Sequence, residues 1–359
     1  MNFTITNNEL FFRKARPEYL LKLEEKISKM CYENFEPKYG QSEQAKKRLE
    51  VELRYMRESG SAYHFAILKV ISDLSTEEGY PIVVEGCISG SIILYLLEVV
   101  NVDPLNNGVI KTFPEMIWED DSQIVFPCFD TEIAEPVRSK IKKRLNDKFS
   151  NIECDKNLYF RIFLPRNETC SMIGKLRKAT NIKSKPENYS GEIYLEAIKK
   201  ISEDNLSALD DMRAEKNINE EAYLKGCDFA NELKKVNSCD FTALTRIYGY
   251  NHASFNSAKS LHKLKSNNFY VLREELYSVL LDYGVNKDDA IKIVKHGVWS
   301  TKSFKQEYVD LLKEHNVPES IIDYFNDVKH LWDASACIGR LEILCELMWY
   351  KINYPNIFR

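Results

Sequence analysis

Residues 82–105 read IVVEGCISGSIILYLLEVVNVDPL. Ile82, Val83 and Val84 are β-branched and follow Pro81, as a buried strand would. A Gly-Cys-Ile-Ser-Gly-Ser turn comes next. The apolar run GSIILYLLEVV then has helical spacing and stops ahead of Asp103-Pro104, because a proline pushes the residue before it out of the helical region. A strand, a glycine-serine turn and a helix in that order gather backbone N–H groups at the helix start, where phosphate is held. Gly90 and Ser91 are therefore candidate nucleotide-binding residues, and Ser91 also suits the N-cap of the helix. Glu85 contradicts the phosphate reading, since a carboxylate at the mouth of the turn repels phosphate.

Upstream, PEYLLKLEEKISKMCYENF, SEQAKKRLEVELRYMRESG and SAYHFAILKVISDL place apolar residues three and four apart, with Ser42 and Ser61 as N-caps. Three helices are expected to precede the first strand. Downstream, SQIVFPCFDTEI at 122–133 reads as a second extended stretch. The helix PVRSKIKKRLNDKF follows it, and Pro136 suits a first helical turn. NLYFRIFLP at 157–165 reads as a third strand. Three strands with helices between them predict one small mixed α/β layer.

Beyond Pro165 the pattern is helical, and ISEDNLSALDDMRAEKNINEE at 201–221 reads as a solvated helix or linker. The expected division is N-terminal helices over 1–78, an α/β core over 79–201, a linker or surface helix over 202–239 and a helical domain over 240–359.

Composition narrows the function classes. The 359 residues are 44% hydrophobic and 12% aromatic, enough for a sizeable core. Fifty basic residues against fifty-four acidic give a formal charge of −4. Tight duplex binding draws on many clustered cationic contacts, so general nucleic-acid affinity is not expected. Nine cysteines occur with no Cys-x-x-Cys pair, and the start of the chain lacks a signal-peptide pattern; the expectation is reduced thiols in the cytoplasm. The apolar run SIILYLLEVV is half the ~20 residues that cross a bilayer, so no membrane association is expected.

Longer motifs carry a resemblance. The stretch RLEVELRYMRESGSAYHFAILKVISDLSTEEGYPIVVEGCISGSIILYLLEVVNVDPL, residues 48–105, is similar to the start of the palm in C-family bacterial replicative DNA polymerases of the PolC type. FTALTRIYGYNHAS, LREELYSVLLDYGV, KEHNVPESIIDYFNDVK and WYKINYP resemble that family's fingers region, in order and at similar spacing. The resemblance spans about 20–150 and 240–359. It implies an α/β palm of the polymerase-β-like nucleotidyltransferase type, with a small mixed sheet, and a predominantly helical fingers-like second domain.

The family's chemistry needs two metal ions held by a Pro-Asp-x-Asp pair and a third Asp. Here the pair reads Pro127-Cys128-Phe129-Asp130, and Arg161 falls where the third acid belongs. Glu85 replaces the turn arginine. Trp332-Asp333-Ala334-Ser335-Ala336-Cys337 lacks the Lys and His of the corresponding motif, and the basic stretch near Gly297-Val298-Trp299-Ser300 is absent. Arg273 matches an arginine of the family and is the surviving candidate for phosphate contact.

Two readings follow. In the first the chain is a retired polymerase core that binds a protein partner, a replisome component or host factor, with nucleotide or DNA binding weak and no cofactor expected. Its richness in Lys, Asn and Ile fits a phage or mobile element of a low-GC bacterium. In the second it is an active nucleotidyltransferase on a non-template substrate, with Asp130 and Glu132 as catalytic acids and magnesium ligands on one strand face. Arg161 is expected to pair with Asp130. Cys128 is expected to be an inert buried strand residue, His252 to make a local hydrogen bond, and Trp299, Trp332 and Trp349 to be core.

Overall fold

The chain opens as a hairpin rather than a helix. In the computed structural model, which describes residues 3–105, 111–120, 123–182, 241–255, 270–297 and 304–357, strands β1 (Thr4–Thr6) and β2 (Glu9–Ala15) pair antiparallel through a turn with Asn7 at φ 52°. Leu10 and Phe12 alternate into the core while Phe11 and Arg13 face outward. The expected linker at 202–239, the charged stretch 201–221 and Trp299 lie outside the described residues.

Helices α1 (Pro17–Tyr39), α2 (Glu43–Ser59) and α3 (Ala62–Glu77) follow, as their apolar spacing predicts. Ser42 caps α2 by accepting the Ala45 N–H at 3.3 Å. Ser61 stands at the N-cap position of α3 without a capping bond; it is buried, and its hydroxyl donates to the Met56 carbonyl.

Strand β3 (Ile82–Val84) leads to a 3-10 turn at Cys87–Gly90 and helix α4 (Ile92–Leu96), which is shorter than the apolar run because Glu98 turns left-handed at φ 58°. Helix α5 (Pro114–Trp118) and the short pair β4 (Glu119–Asp120) and β5 (Gln123–Ile124) come next. Of the stretch expected as one strand over 122–133, Gln123–Ile124 and β6 (Thr131–Ile133) pair, and 125–130, which contains Pro127, runs between them. Helix α6 (Glu135–Phe149), strand β7 (Cys154–Phe163) and helix α7 (Glu168–Thr180) complete this part.

The expected single layer is two sheets. β3 pairs with β6, whereas β7 pairs with β2 of the opening hairpin. The sheets meet where Ile133 bridges Arg166 and its N–H donates to the Pro165 carbonyl at 3.1 Å. The reason is that β2 offers β7 a longer edge than the three-residue β6 does.

The C-terminal part comprises α8 (Phe241–His252), α9 (Arg273–Asp282), α10 (Lys287–Lys292), α11 (Gln306–Glu314), α12 (Glu319–Asp327) and α13 (Ala334–Asn353), with a small pair β8 (Ser254–Phe255) and β9 (Val328–His330). Helices α9 to α12 build a core around Leu276, Tyr277, Leu312 and Phe325. A separate core joins α1 to α4 with the inner faces of both sheets. Helix α13 returns to this first part: Ile343 packs on its core, and Tyr350 packs with Ile173 and Leu176 of α7. Among the described residues no helix is long and apolar enough to cross a membrane.

Gly174 sets how closely α7 approaches the strand entry. A Cβ there would fall 2.0 Å from Tyr80 Cδ1, and Lys178 of the same helix donates to the Tyr80 hydroxyl at 3.0 Å. Gly174→Ala is therefore expected to destabilise by about 1–3 kcal/mol through overpacking, even though alanine is the better helix former by ~1 kcal/mol. Urea unfolding measures it; a stabilised variant would show that α7 can retreat from Tyr80.

Candidate functional site

The turn after β3 is held from behind by two charged residues of α2. Arg48 and Glu52 are one helical turn apart and both buried. Glu52 accepts from Arg48 Nε, from the Ser91 hydroxyl and from the Ile92 N–H at 3.3 Å. Arg48 donates to the carbonyls of Thr112 at 2.8 Å and Gly90 at 3.3 Å. Ser91 also caps α4 by accepting the Ile93 N–H at 3.2 Å. Gly90 is glycine for space: a Cβ would meet Thr112 Cγ2 at 3.0 Å and Ser335 Oγ, at the start of α13, at 3.1 Å.

Three acids gather at the β3–β6 pair. Val83 lies opposite Glu132, and the Glu85 N–H donates to the Asp130 carbonyl at 2.8 Å. Asp130 and Glu132 alternate with buried Thr131 and Ile133, which puts the two acids on one side of the strand. Asp130 Oδ1 accepts the Phe163 N–H at 3.0 Å. Glu132 Oε2 accepts from Asn167 Nδ2 at 2.6 Å, and its Oε1 accepts from Arg340 Nη2 at 2.7 Å. The same Arg340 nitrogen donates to Glu85. Arg340 reaches in from α13 and lies 5.1 Å over the Trp332 ring.

Electrostatics follow from this crowding. Burial raises the Glu85 carboxyl to about 7, with Arg340 pulling it down and Glu132 and Asp130 pushing it further up. Burial disfavours the Arg340 charge, yet Tyr248, Glu132 and Glu85 outweigh it and hold the guanidinium above its ordinary range.

Arg273 lies in a second cluster. It is buried, and its Nη1 is 3.2 and 3.3 Å from the two carboxylate oxygens of Asp333, at the N-cap position of α13. Glu274 accepts the Ala334 N–H at 2.8 Å, and burial together with Asp333 raises its carboxyl to about 8. The candidate residues therefore fall into the Gly90–Ser91 turn, the Glu85–Asp130–Glu132 group and the Arg273–Asp333 pair, and the first half of α13 runs past all three.

Two expectations are corrected here. Arg161 pairs with Glu9, not with Asp130, and its side chain is 70% exposed. The register that sets Phe11 opposite Arg161 turns that side chain onto the outer face of the β2–β7 sheet, while Asp130 meets the strand end at Phe163. Cys128 is exposed and outside any strand; desolvation of its sulfur and a hydrogen bond to Asp130 push the thiol up to about 11, away from a nucleophilic thiolate. His252 makes a local bond, with Nδ1 2.9 Å from the Tyr248 carbonyl, and Trp332 and Trp349 are half-buried in aromatic clusters.

Sequence reasoning missed Arg48, Glu52 and Arg340. The first two had a signal: they share a helix face with Leu49, Leu53 and Met56, all buried. Arg340 had none, since its partners lie 255 and 208 positions away.

Comparison with known proteins accounts for the turn and its flanking helices. A family described as "Bacterial DNA polymerase III alpha NTPase domain" matches residues 25–239, more than half of the chain. The "DNA polymerase III PolC-type" of Caldanaerobacter subterraneus subsp. tengcongensis is 23% identical over 124 residues, which cover 33% of this chain and 9% of that protein. The protein of the same description from Ureaplasma parvum serovar 3 is 28% identical over 120 residues, 32% of this chain and 8% of that protein. The matches thus span less than a tenth of either relative's length. With α2, the turn and the acid-bearing strand all inside the matched region, the chain belongs to the bacterial DNA polymerase III alpha NTPase-domain family.

Proposed function

We propose that the chain is a reduced PolC-like polymerase core that no longer transfers nucleotides and acts by binding a protein partner. In this reading the β3–β6 pair with its turn is the remnant of a palm, and the helices from residue 241 are fingers-like. One observation carries it: Arg273, the surviving candidate for triphosphate, is buried, and its Nη1 already pairs with the carboxylate of Asp333, an internal anion. Glu85, which is paired with Arg340, stands where the resemblance implies a turn arginine, so the turn offers phosphate no cation of its own.

The partner is a replisome component or a host polymerase assembly in the cytoplasm, and a phage or mobile element is the proposed source. A near-balanced charge of −4 suits a protein partner better than duplex DNA.

A second reading, an active nucleotidyltransferase using Asp130 and Glu132, draws on their shared side of β6. Calorimetric titration separates the two. The folded protein, with Mg²⁺ or Mn²⁺ present, is titrated with each nucleoside triphosphate beside Asp130→Ala. No binding heat is expected. Metal-dependent binding that Asp130→Ala abolishes would establish the second reading instead. Crosslinking capture from a bacterial extract tests the partner: replisome subunits are the expected prey, and a chain that captures none of them loses that half of the proposal.

A further inference from the structure

The active-nucleotidyltransferase reading needs magnesium held by Asp130 and Glu132, and the donor set does not fit it. A magnesium ion needs carboxylate oxygens free to coordinate in near-octahedral geometry. Here Asp130 Oδ1 receives the Phe163 N–H, and Glu132 receives Asn167 on one oxygen and Arg340 on the other. Glu85 receives the same Arg340 nitrogen. Among the described residues no group of three acidic, His or Cys side chains is arranged to hold a metal.

The space between the acids holds a cation of the chain's own. Resting on the non-catalytic reading, we infer that Arg340 is a resident replacement for the divalent metal: one guanidinium nitrogen, shared by Glu85 and Glu132, supplies the positive charge that the acids of this site require. Three features argue for replacement rather than an incidental surface pair. Arg340 Nη2 bridges two carboxylates from separate segments, Glu85 just after β3 and Glu132 within β6, as a coordinated ion would. Its side chain is 21% exposed against 24% and 16% for the acids, so solvent does not compensate them in its place. Its Nε is buried and finds no acceptor among the described residues, so the group is positioned by the two acids and the Trp332 face and not by full satisfaction of its own donors. A permanent charge also needs no metal supply, and it ties α13 to β3 and β6.

The consequence is a latent metal affinity that Arg340 suppresses. Removing the guanidinium leaves Glu85 and Glu132 close together without a counter-charge, with Asp130 beside them, and a divalent cation relieves that repulsion.

The test uses Mn²⁺ alone, with no nucleotide, followed by the loss of the free-ion paramagnetic resonance signal and by melting temperature. Wild type and Arg340→Lys are expected to take up no stoichiometric Mn²⁺. Arg340→Gln is expected to bind one ion roughly tenfold or more tightly than wild type, and Mn²⁺ is expected to restore the melting temperature that this variant loses, because ligands that bind the native state stabilise it. Adding Glu132→Gln to Arg340→Gln should abolish the response. The inference is overturned if wild type binds one equivalent of Mn²⁺ that Glu132→Gln loses, or if Arg340→Gln is indifferent to Mn²⁺, folded or not. Nucleotidyl transfer by wild type would refute the non-catalytic reading, whereas an Arg340→Gln variant indifferent to Mn²⁺ overturns this inference alone.

Discussion

Glu52→Ala is expected to destabilise the fold by about 3–5 kcal/mol, the range for breaking a buried ion pair by removing one partner. Glu52 is fully buried and receives three donors: Arg48 Nε, the Ser91 hydroxyl and the Ile92 N–H. Among the described residues, alanine leaves a buried guanidinium with the Thr112 and Gly90 carbonyls and the Thr112 hydroxyl as partners. It also leaves the first turn of α4 one acceptor short. The penalty is therefore desolvated charge plus orphaned donors, and it falls on the turn that shapes the site.

The double variant Arg48→Met, Glu52→Leu separates these contributions. Replacing both ends with apolar groups of similar length removes the uncompensated charge, so its loss should be clearly smaller than that of Glu52→Ala alone. Urea unfolding of the three proteins measures the difference. A Glu52→Ala variant within ~1 kcal/mol of wild type would mean that water reaches Arg48 and that the turn does not depend on this pair.

How legible this arrangement was depends on how local each cause is. α1, α2, α3 and α6 follow from apolar residues three and four apart, and Ser42 as a cap is a three-residue event. The shared side of Asp130 and Glu132 follows from strand alternation alone. The opening hairpin was missed because its register offers only Leu10 and Phe12 as an alternating pair and its third strand begins 139 positions after β2 ends. That same hairpin captured β7, splitting the expected layer in two and turning Arg161 outward to Glu9. Family membership was legible because motif order survives divergence. The counter-charge was not: nothing near Glu85 or Glu132 in the chain announces Arg340, and only the return of α13 across the first part brings it there.

Stability is expected to rise by about 2–4 kcal/mol when the pH is lowered from 8 to 6, the reverse of a protein held by low-pKa carboxylates. Burial raises Glu85 to about 7 and Glu274 to about 8, from an ordinary value of 4.5. A carboxyl whose folded pKa is raised keeps its proton in the native state at a pH where the unfolded chain has released it. The stabilisation is therefore fully present below 4.5 and is lost as pH climbs to the folded value, at about 1.4 kcal/mol per unit. Between pH 6 and 8 Glu274 crosses its whole upper range and Glu85 half of that interval. His64 works the other way: burial among Phe12, Phe126, Phe129 and Phe160 lowers its imidazole to about 3, so its contribution is present above 6.5 and is lost toward acid. From pH 8 to 6 that loss covers only the last half unit, and the two acids dominate. Glu274→Gln isolates the larger effect. The amide oxygen can still accept the Ala334 N–H, and the side chain no longer adds negative charge near Asp333, so the variant should be more stable than wild type at pH 8 by about 1–3 kcal/mol and nearly equal at pH 5. Urea unfolding at pH 5, 6 and 8 reads both trends, and a wild type whose stability climbs from pH 6 to 8 would show that Glu274 is ionised in the native protein and compensated by Arg273.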